Sequence, residues 1–388
     1  MTYDYIFAGG GMAALSMAYY LNSSTLRDKS ILIIDRDQKN TNDHTYCFWE
    51  SGESVYEPIV LKKWNKVWFH GTAHFSALMP LEAYHYKMIA GIDFYKFIFE
   101  AINKNPKIEF LQAEVFEIIP DEQPIVITSK GSFEASEYVF DSVFRPKYDE
   151  PKNNNLMQHF LGWVIETEKP FFNTDEPTLF DFRIEQKDEF RFVYVLPISS
   201  QKALIEFTIF SDNLIKKEEY NYYLKNYIEN TLKINNYQIN ANEYQISETE
   251  FGIVPMSDES HNMFPADKIV KIGTAGGYVK ASSGYSFQRS QLFLQKLVKA
   301  LEKKQELPNQ INNKWKAYLD SVLLNVMAKK RTNQAEIFTL LFKKNGAPKV
   351  LKFLSEETNL FEDITLMNTV PKLPFIKSAI RVIFNKFN

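Results

Sequence analysis

A buried strand that runs straight into three glycines and then into a helix constrains this chain more than any other feature. YDYIFAGGGMAALSMAYYL covers residues 3–21, and SILIID at 30–35 supplies a second apolar strand. Strand, turn, helix and strand in so short a span form a βαβ unit, which requires a parallel sheet with a right-handed crossover. Gly9, Gly11 and Ala14 spell G-x-G-x-x-A. The first glycine permits the tight turn, the second lets backbone approach a pyrophosphate at the positive end of the helix, and Ala14 still allows close packing. Asp35 ends the second strand, where a carboxylate accepts both ribose hydroxyls and repels a 2′-phosphate. The context, more than the glycines, points to a dinucleotide.

Beyond this unit, DFYKFIFEAINKNP reads as an amphipathic helix, and IEFLQAEVFEII, PIVITS and SEYVFDS read as strands, the last ending at Asp141. FLGWVIETE, TLFDFRIEQ, RFVYVLPIS and KALIEFTIF then alternate between polar turns, the pattern of an antiparallel sheet. KIVKIGTAGG at 268–277 returns to a buried strand meeting a second glycine cluster, with Gly273 and Gly276, and helical segments follow. A plain NAD dehydrogenase would continue in alternating strands and helices, so the interruption favours FAD. The expected class is α/β. A Rossmann-like FAD-binding domain with a parallel sheet carries an inserted, mostly antiparallel β-sheet substrate domain and a helical C-terminal region. The expected bounds are 1–155 for the first part of the FAD domain, 156–255 for the substrate sheet, 256–300 for the return segment and 301–388 for the helical region.

With 388 residues the chain can bury a large core and a pocket. A formal charge of −3 carries no electrostatic footprint for nucleic acid. The lone Cys47 closes no disulfide within the chain, in keeping with a reducing cytoplasm. His70 and His74 lie in VWFHGTAHF, which reads as strand; two ligands without a third make a poor zinc site, so no metal is expected. The N-terminus has no basic region ahead of its short apolar run, and no stretch approaches the roughly 20 apolar residues of a spanning helix.

ALIEFTIFS at 203–211 sets one carboxylate, Glu206, into an apolar strand. Leu204, Thr208 and Phe210 share its face, and Ala203, Ile205, Phe207 and Ile209 take the other. Two readings are open. Glu206 sits at an edge or pairs with a cation such as Arg191, or it is desolvated, its pKa raised, and it holds a proton at neutral pH.

Several stretches together resemble the flavoprotein lycopene cyclases that make carotenoid β-rings: FAGGGMAALSMAYYL, NDHTYCFWE, FLGWVIETE, DFR at 181–183, FVYVLPIS, ALIEFTIFS, EFGIVPM and IGTAGGYVKASSGYSFQ. They run in order through residue 288. Tyr46 stands where the family usually shows Trp. IGTAGG lacks the Asp of many other flavoproteins, a departure the cyclases share. The resemblance implies a lycopene β-cyclase that closes lycopene through γ-carotene to β-carotene in a reaction with no net redox change. It implies reduced FAD as the active form, NAD(P)H as reductant, linear carotenes as substrates, and a cytoplasmic enzyme peripherally attached to the membrane. The proposed acid of the I-E-x-T motif is Glu206. FAD-binding positions are Gly9, Gly11, Ala14, Asp35, His44, Asp141, Gly273, Gly276 and Gly284. Glu250, Pro255, Gly284 and Tyr285 are expected near the flavin ring or in turns, Asp181 and Arg183 in the site or as a buried ion pair, and Lys280 solvated or balancing charge on the ring. The tail VPKLPFIKSAIRVIFNKFN carries Lys372, Lys377, Arg381 and Lys386, no acid, and apolar residues at helical spacing. It reads as a basic amphipathic helix at an anionic interface, or as a helix packed on the domain. The competing functions are a monooxygenase or prenyl reductase of similar fold, and a non-catalytic flavin- or lipid-binding protein at the membrane surface.

Overall fold

The computed structural model describes residues 1–146, 152–234, 237–311 and 313–387. The expected α/β architecture is present. Thr2–Ala8 pairs in parallel with Ile31–Asp35 on one side and with Gly131–Asp141 on the other. Ile108–Gln112 extends the first edge in parallel, and Ile269–Lys271 returns from far along the chain to pair in parallel with Val139–Asp141. Ile31–Ile34 are buried on both faces of this sheet, which is why the sequence there is a continuous apolar run. The helix Met12–Asn22 covers one face together with Gly91–Ile102 and Phe287–Glu302. Phe293, Leu294, Leu297 and Leu301 of the last helix recur at helical spacing and are buried in the same core.

A second sheet runs in the order Tyr244–Ser257, Asn155–Thr167, Lys202–Ser211, Phe190–Pro197, Thr178–Asp181, Lys66–His70 and Ser76–Pro80. Neighbours are antiparallel except Thr178–Asp181 with Lys66–His70. Two of its strands therefore come from within residues 1–155: sheet membership follows edge pairing, to which a linear division of the chain is blind. Its alternation separates two cores. Ile205, Phe207 and Ile209 face the helix Lys217–Asn226, whereas Leu204 and Phe210 face a core shared with the C-terminal helices. A small sheet of Thr45–Ser51, Tyr84–Ala90 and Lys62–Trp64 is interleaved in sequence with strands of both large ones.

Asn313, Asn333 and Asn359 cap the helices Lys314–Ala328, Gln334–Asn345 and Leu360–Met367, each accepting a backbone N–H. Phe338 and Phe342 seat the second of these on the sheet, with ring centroids 4.6 Å from Phe190 and 4.5 Å from Phe69 respectively. Lys316 and Asp363 are both buried, and the ammonium reaches Asp363 Oδ2 at 2.7 Å and the Thr358 carbonyl at 2.8 Å. Removing one partner strands a buried charge. Asp363→Ala should lower unfolding free energy by about 3 kcal/mol, read as a lower urea midpoint.

Candidate active site

Two cavities meet end to end beneath the glycine turn. The first, about 560 Å³, is lined by Gly9, Gly11, Asp35, His44, Gly273 and Ser290, among others. The second, about 410 Å³, is lined by Gly284, Tyr285, Tyr194, Phe160, Glu206 and Glu250, among others. Gly11, Met12, Lys39, His44, Thr274 and Ser286 border both.

The first cavity is built by the parallel sheet. Gly9 has φ +94°, and a Cβ there would fall 2.4 Å from Ser142 Oγ, so neither the backbone nor the space admits another residue. At Gly11 a Cβ would meet nothing within 4 Å, which leaves the helix N-terminus open to the cavity. Asp35 accepts from the Gly10 N–H at 2.6 Å and the Asp37 N–H at 2.8 Å, while Lys39 approaches at 3.2 Å. Tyr278 Oη and Ser290 Oγ are buried on this cavity, and Gln158 Oε1 and Ser283 Oγ on the second, with no hydrogen-bond partner among the described residues. Buried polar atoms of this kind need partners. An elongated ligand with polar groups along its length, such as a dinucleotide, fits that requirement.

Not every expected position lines these cavities. Ala14 is buried in the helix core, and Gly276 serves its own turn, where a Cβ would fall 2.4 Å from the Lys271 carbonyl oxygen. Asp141 is buried beneath the cavity floor and accepts from the Val143 N–H at 3.0 Å. Asp181 is ion-paired to Arg183 and accepts from Tyr227 Oη at 2.6 Å, outside both cavities. Lys280 is not solvated: it is buried and held by Asp320 at 2.7 Å and by Glu356 at 2.9 Å, because the C-terminal helices close over it.

Strand register decides the second cavity. Gly162 pairs with Glu206 on one side and with Glu250 on the other, and Glu206 in turn pairs with Tyr194. Directly opposed residues project to one face, so Glu250, Gly162, Glu206 and Tyr194 form a single row pointing into the cavity. Arg191 lies opposite Ile209, on the other face, and pairs with Glu189. The cation reading of Glu206 therefore fails. Its carboxylate meets the cavity and is enclosed by protein elsewhere, its recorded hydrogen bond coming from Thr208 Oγ1 at 3.0 Å. Burial, and then the charge of Glu250, push its pKa up to about 8. Glu250 is raised by burial too, but the Thr45 N–H at 2.9 Å and Thr45 Oγ1 at 2.6 Å hold its carboxylate and oppose the rise, as does His44. Tyr194 Oη lies 3.2 Å from Tyr285 Oη.

The residues that sequence reasoning passed over are Thr45, Gly162 and Tyr194. A signal existed for Gly162, since a lone glycine within a strand marks a close approach. A Cβ there would fall 2.9 Å from Leu204 Cδ1 and 3.7 Å from Glu206 Cγ, so a side chain would crowd Leu204 against the acid.

The family model for lycopene cyclase protein matches residues 4–380. The chain belongs to the lycopene cyclase family. A lycopene beta-cyclase of Paracoccus sp. (strain N81106 / MBIC 01143) is 42% identical over 55 residues, a stretch spanning 14% of this chain and 14% of that protein. Among solved structures, a geranylgeranyl bacteriochlorophyll reductase-like protein from Thermoplasma acidophilum superposes with a TM-score of 0.61 at 12% identity, covering 98% of this chain and 99% of the other. A p-nitrophenol 4-monooxygenase from Pseudomonas putida DLL-E4 gives 0.61 at 14%, covering 92% and 97%. At such identities the likeness establishes a shared fold.

The raised acid has a consequence for this cyclase-family protein that is independent of turnover. A carboxyl whose folded pKa exceeds its unfolded value binds more protons in the folded state, so its contribution to stability is lost as pH rises toward the folded value. The urea midpoint of the wild type should fall between pH 5 and pH 9, and Glu206→Gln should flatten that fall.

Proposed function

We propose that this protein is a lycopene β-cyclase in which Glu206 is the acid that starts ring closure. The observation that carries the reading is a carboxyl kept protonated by burial in the wall of a cavity, within the I-E-x-T motif of its family. An alkene is a very weak base, so its proton donor must be neutral, dry and close. Glu206 lies in the cavity wall where burial favours its protonated form, and Thr208 donates to its carboxyl.

The proton goes to the terminal double bond of a linear carotene. The cation so formed is trapped by a neighbouring double bond, and loss of a proton completes the ring. Tyr194, Tyr285, Tyr86 and Phe160 line the cavity and exclude water, and each aromatic face can stabilise a desolvated cation by up to about 2 kcal/mol. Gly9, Gly11, Asp35, His44 and Gly273 would hold FAD, with Gly284 and Gln158 toward its ring end. Reduced by NADH or NADPH, FAD would supply negative charge beside the cationic polyene in a low-dielectric site. In this reading the parallel sheet is the FAD domain, the second sheet is the substrate domain, and the reaction has no net redox change.

The substrate dissolves in bilayers, and no helix among the described residues is long and apolar enough to cross one. The helix Lys372–Phe387 supports a docking role. Ser378 and Val382 face the protein, while Leu373, Ile376, Ile380, Ile383 and Phe384 are exposed along the opposite stripe. Leu360 and Phe361 on the preceding helix are exposed as well. The side chains of Lys386 and Phe387, part of the expected stripe, lie outside the described residues. A basic helix with an outward apolar stripe suits the surface of an anionic membrane.

In a lycopene-accumulating bacterial host, the wild type should turn red cells orange-yellow, with the two isolated terminal double bonds lost, the new ring double bonds twisted out of the polyene plane, and no change of mass. Glu206→Gln should retain flavin and lose at least 100-fold of that activity. Added oxygen or hydrogen in the product would instead favour a monooxygenase or reductase, and no change at all a binding protein. Ile376→Glu with Ile380→Glu should leave folding intact and shift the protein from pelleted anionic vesicles to the supernatant; unaltered sedimentation would end the docking role.

A further inference from the structure

The cyclisation read from Glu206 requires a group to take the proton that leaves the ring, and this inference rests on that reading. We infer that Glu250 is that base, and that in each cycle one proton enters the substrate from Glu206 and another leaves it to Glu250.

The placement comes from strand register. Both carboxylates sit opposite Gly162, one from each flanking strand, and both line the same cavity. Their strands are separated by the Gly162 strand, hence by about 10 Å at two strand spacings. Gly162 puts no side chain between them, Leu204 borders the interval, and both carboxylates line the one cavity, so the end of a substrate bound there can face both. Their partners differ in a way that divides the roles. Glu250 accepts two hydrogen bonds from Thr45, which suit an anion, whereas Glu206 accepts one, from Thr208. The titratable groups facing the pair are Asp43 and His44 at the Glu250 end, Lys39, Tyr46 and Tyr95 along the cavity, and Cys47, Tyr86, Tyr194 and Tyr285 around Glu206. Among the described residues neither carboxylate is ion-paired with lysine or arginine.

The step balances within the pair. Glu206 O–H gives its proton to the terminal alkene, leaving a tertiary cation. The electron pair of the second double bond forms the ring C–C bond and transfers the positive charge to a ring carbon. The adjacent C–H bond then breaks: its electron pair becomes the ring double bond, and its proton passes to the Glu250 carboxylate. Glu206 is now ionised and Glu250 protonated, and return of one proton from Glu250 to Glu206 restores the starting state. No proton, electron or water is consumed, as an isomerisation requires.

The test uses the full chain loaded with FAD, reduced, and supplied with lycopene in liposomes. Wild type, Glu206→Gln, Glu250→Gln and Glu250→Asp are compared for flavin content, rate, ring type and pH profile. Glu250→Gln should keep its flavin and lose at least 100-fold in rate. Its residual product should shift from β-rings to isomers that lose a different proton, or to products of water capture. The alkaline limb of its residual activity should move to lower pH, because the negative charge that favours the protonated acid is gone. Glu250→Asp should recover part of the rate with β-rings. β-Ring formation by Glu250→Gln near the wild-type rate would overturn the assignment. So would a slow Glu250→Gln whose ring type and pH limb match the wild type, or equal flavin loss in both Glu250 variants. If the wild type forms no rings, or Glu206→Gln still does, the underlying reading fails instead.

Discussion

Ionising Glu206 would set a negative charge in an apolar wall and beside a second carboxylate, and avoiding that cost is what the surrounding arrangement achieves. Burial is the larger cause and Glu250 the second. The nearby cations have other partners: Arg191 turns to the opposite face and pairs with Glu189, Lys280 is paired behind the site with Asp320 and Glu356, and Lys39, at the border of the two cavities, approaches Asp35 at 3.2 Å. Burial and the neighbouring carboxylate thus favour the protonated form of Glu206 at the wall of the cavity.

The cavity depends on segments far apart in the chain. Thr45 and Cys47 come from one short strand, Glu206 and Glu250 from the large antiparallel sheet, and Gly284 and Tyr285 from the loop after the returning parallel strand. That loop is fixed from behind. Lys280 accepts from the Gly284 N–H through its carbonyl oxygen at 2.9 Å, donates its own N–H to the Tyr285 carbonyl at 3.0 Å, and is anchored by its ammonium to the C-terminal helices. The helical region thereby supports the wall that faces the acid, besides offering the exposed stripe of its last helix.

The scaffold is shared with proteins named as a reductase-like protein, a monooxygenase and a flavin-dependent brominase, at 12% to 14% identity. A fold common to such different names does not select a chemistry. The chemistry has to be argued from the local site, where two carboxylates from strands flanking that of Gly162 share a cavity with several tyrosines.

The linear sequence by itself determined the βαβ unit, the return of the parallel strand near Ile269, the alternation of the middle strands and the oddity of Glu206, because each is written in short-range periodicity or in one residue out of pattern. It also carried the family, through motifs spread along most of the chain. It did not reveal that Lys66–His70 and Ser76–Pro80 join the second sheet, that Lys280 is buried, or that Asp141 and Gly276 lie off the cavities. Nor did it set Glu250 in line with Glu206. Those facts depend on strand register and on helices closing from the far end of the chain, and a shift of one residue in either pairing would turn a carboxylate to the opposite face. Only the folded tertiary arrangement, in which Gly162 aligns both acids on one side of the sheet, decides that they look into the same space.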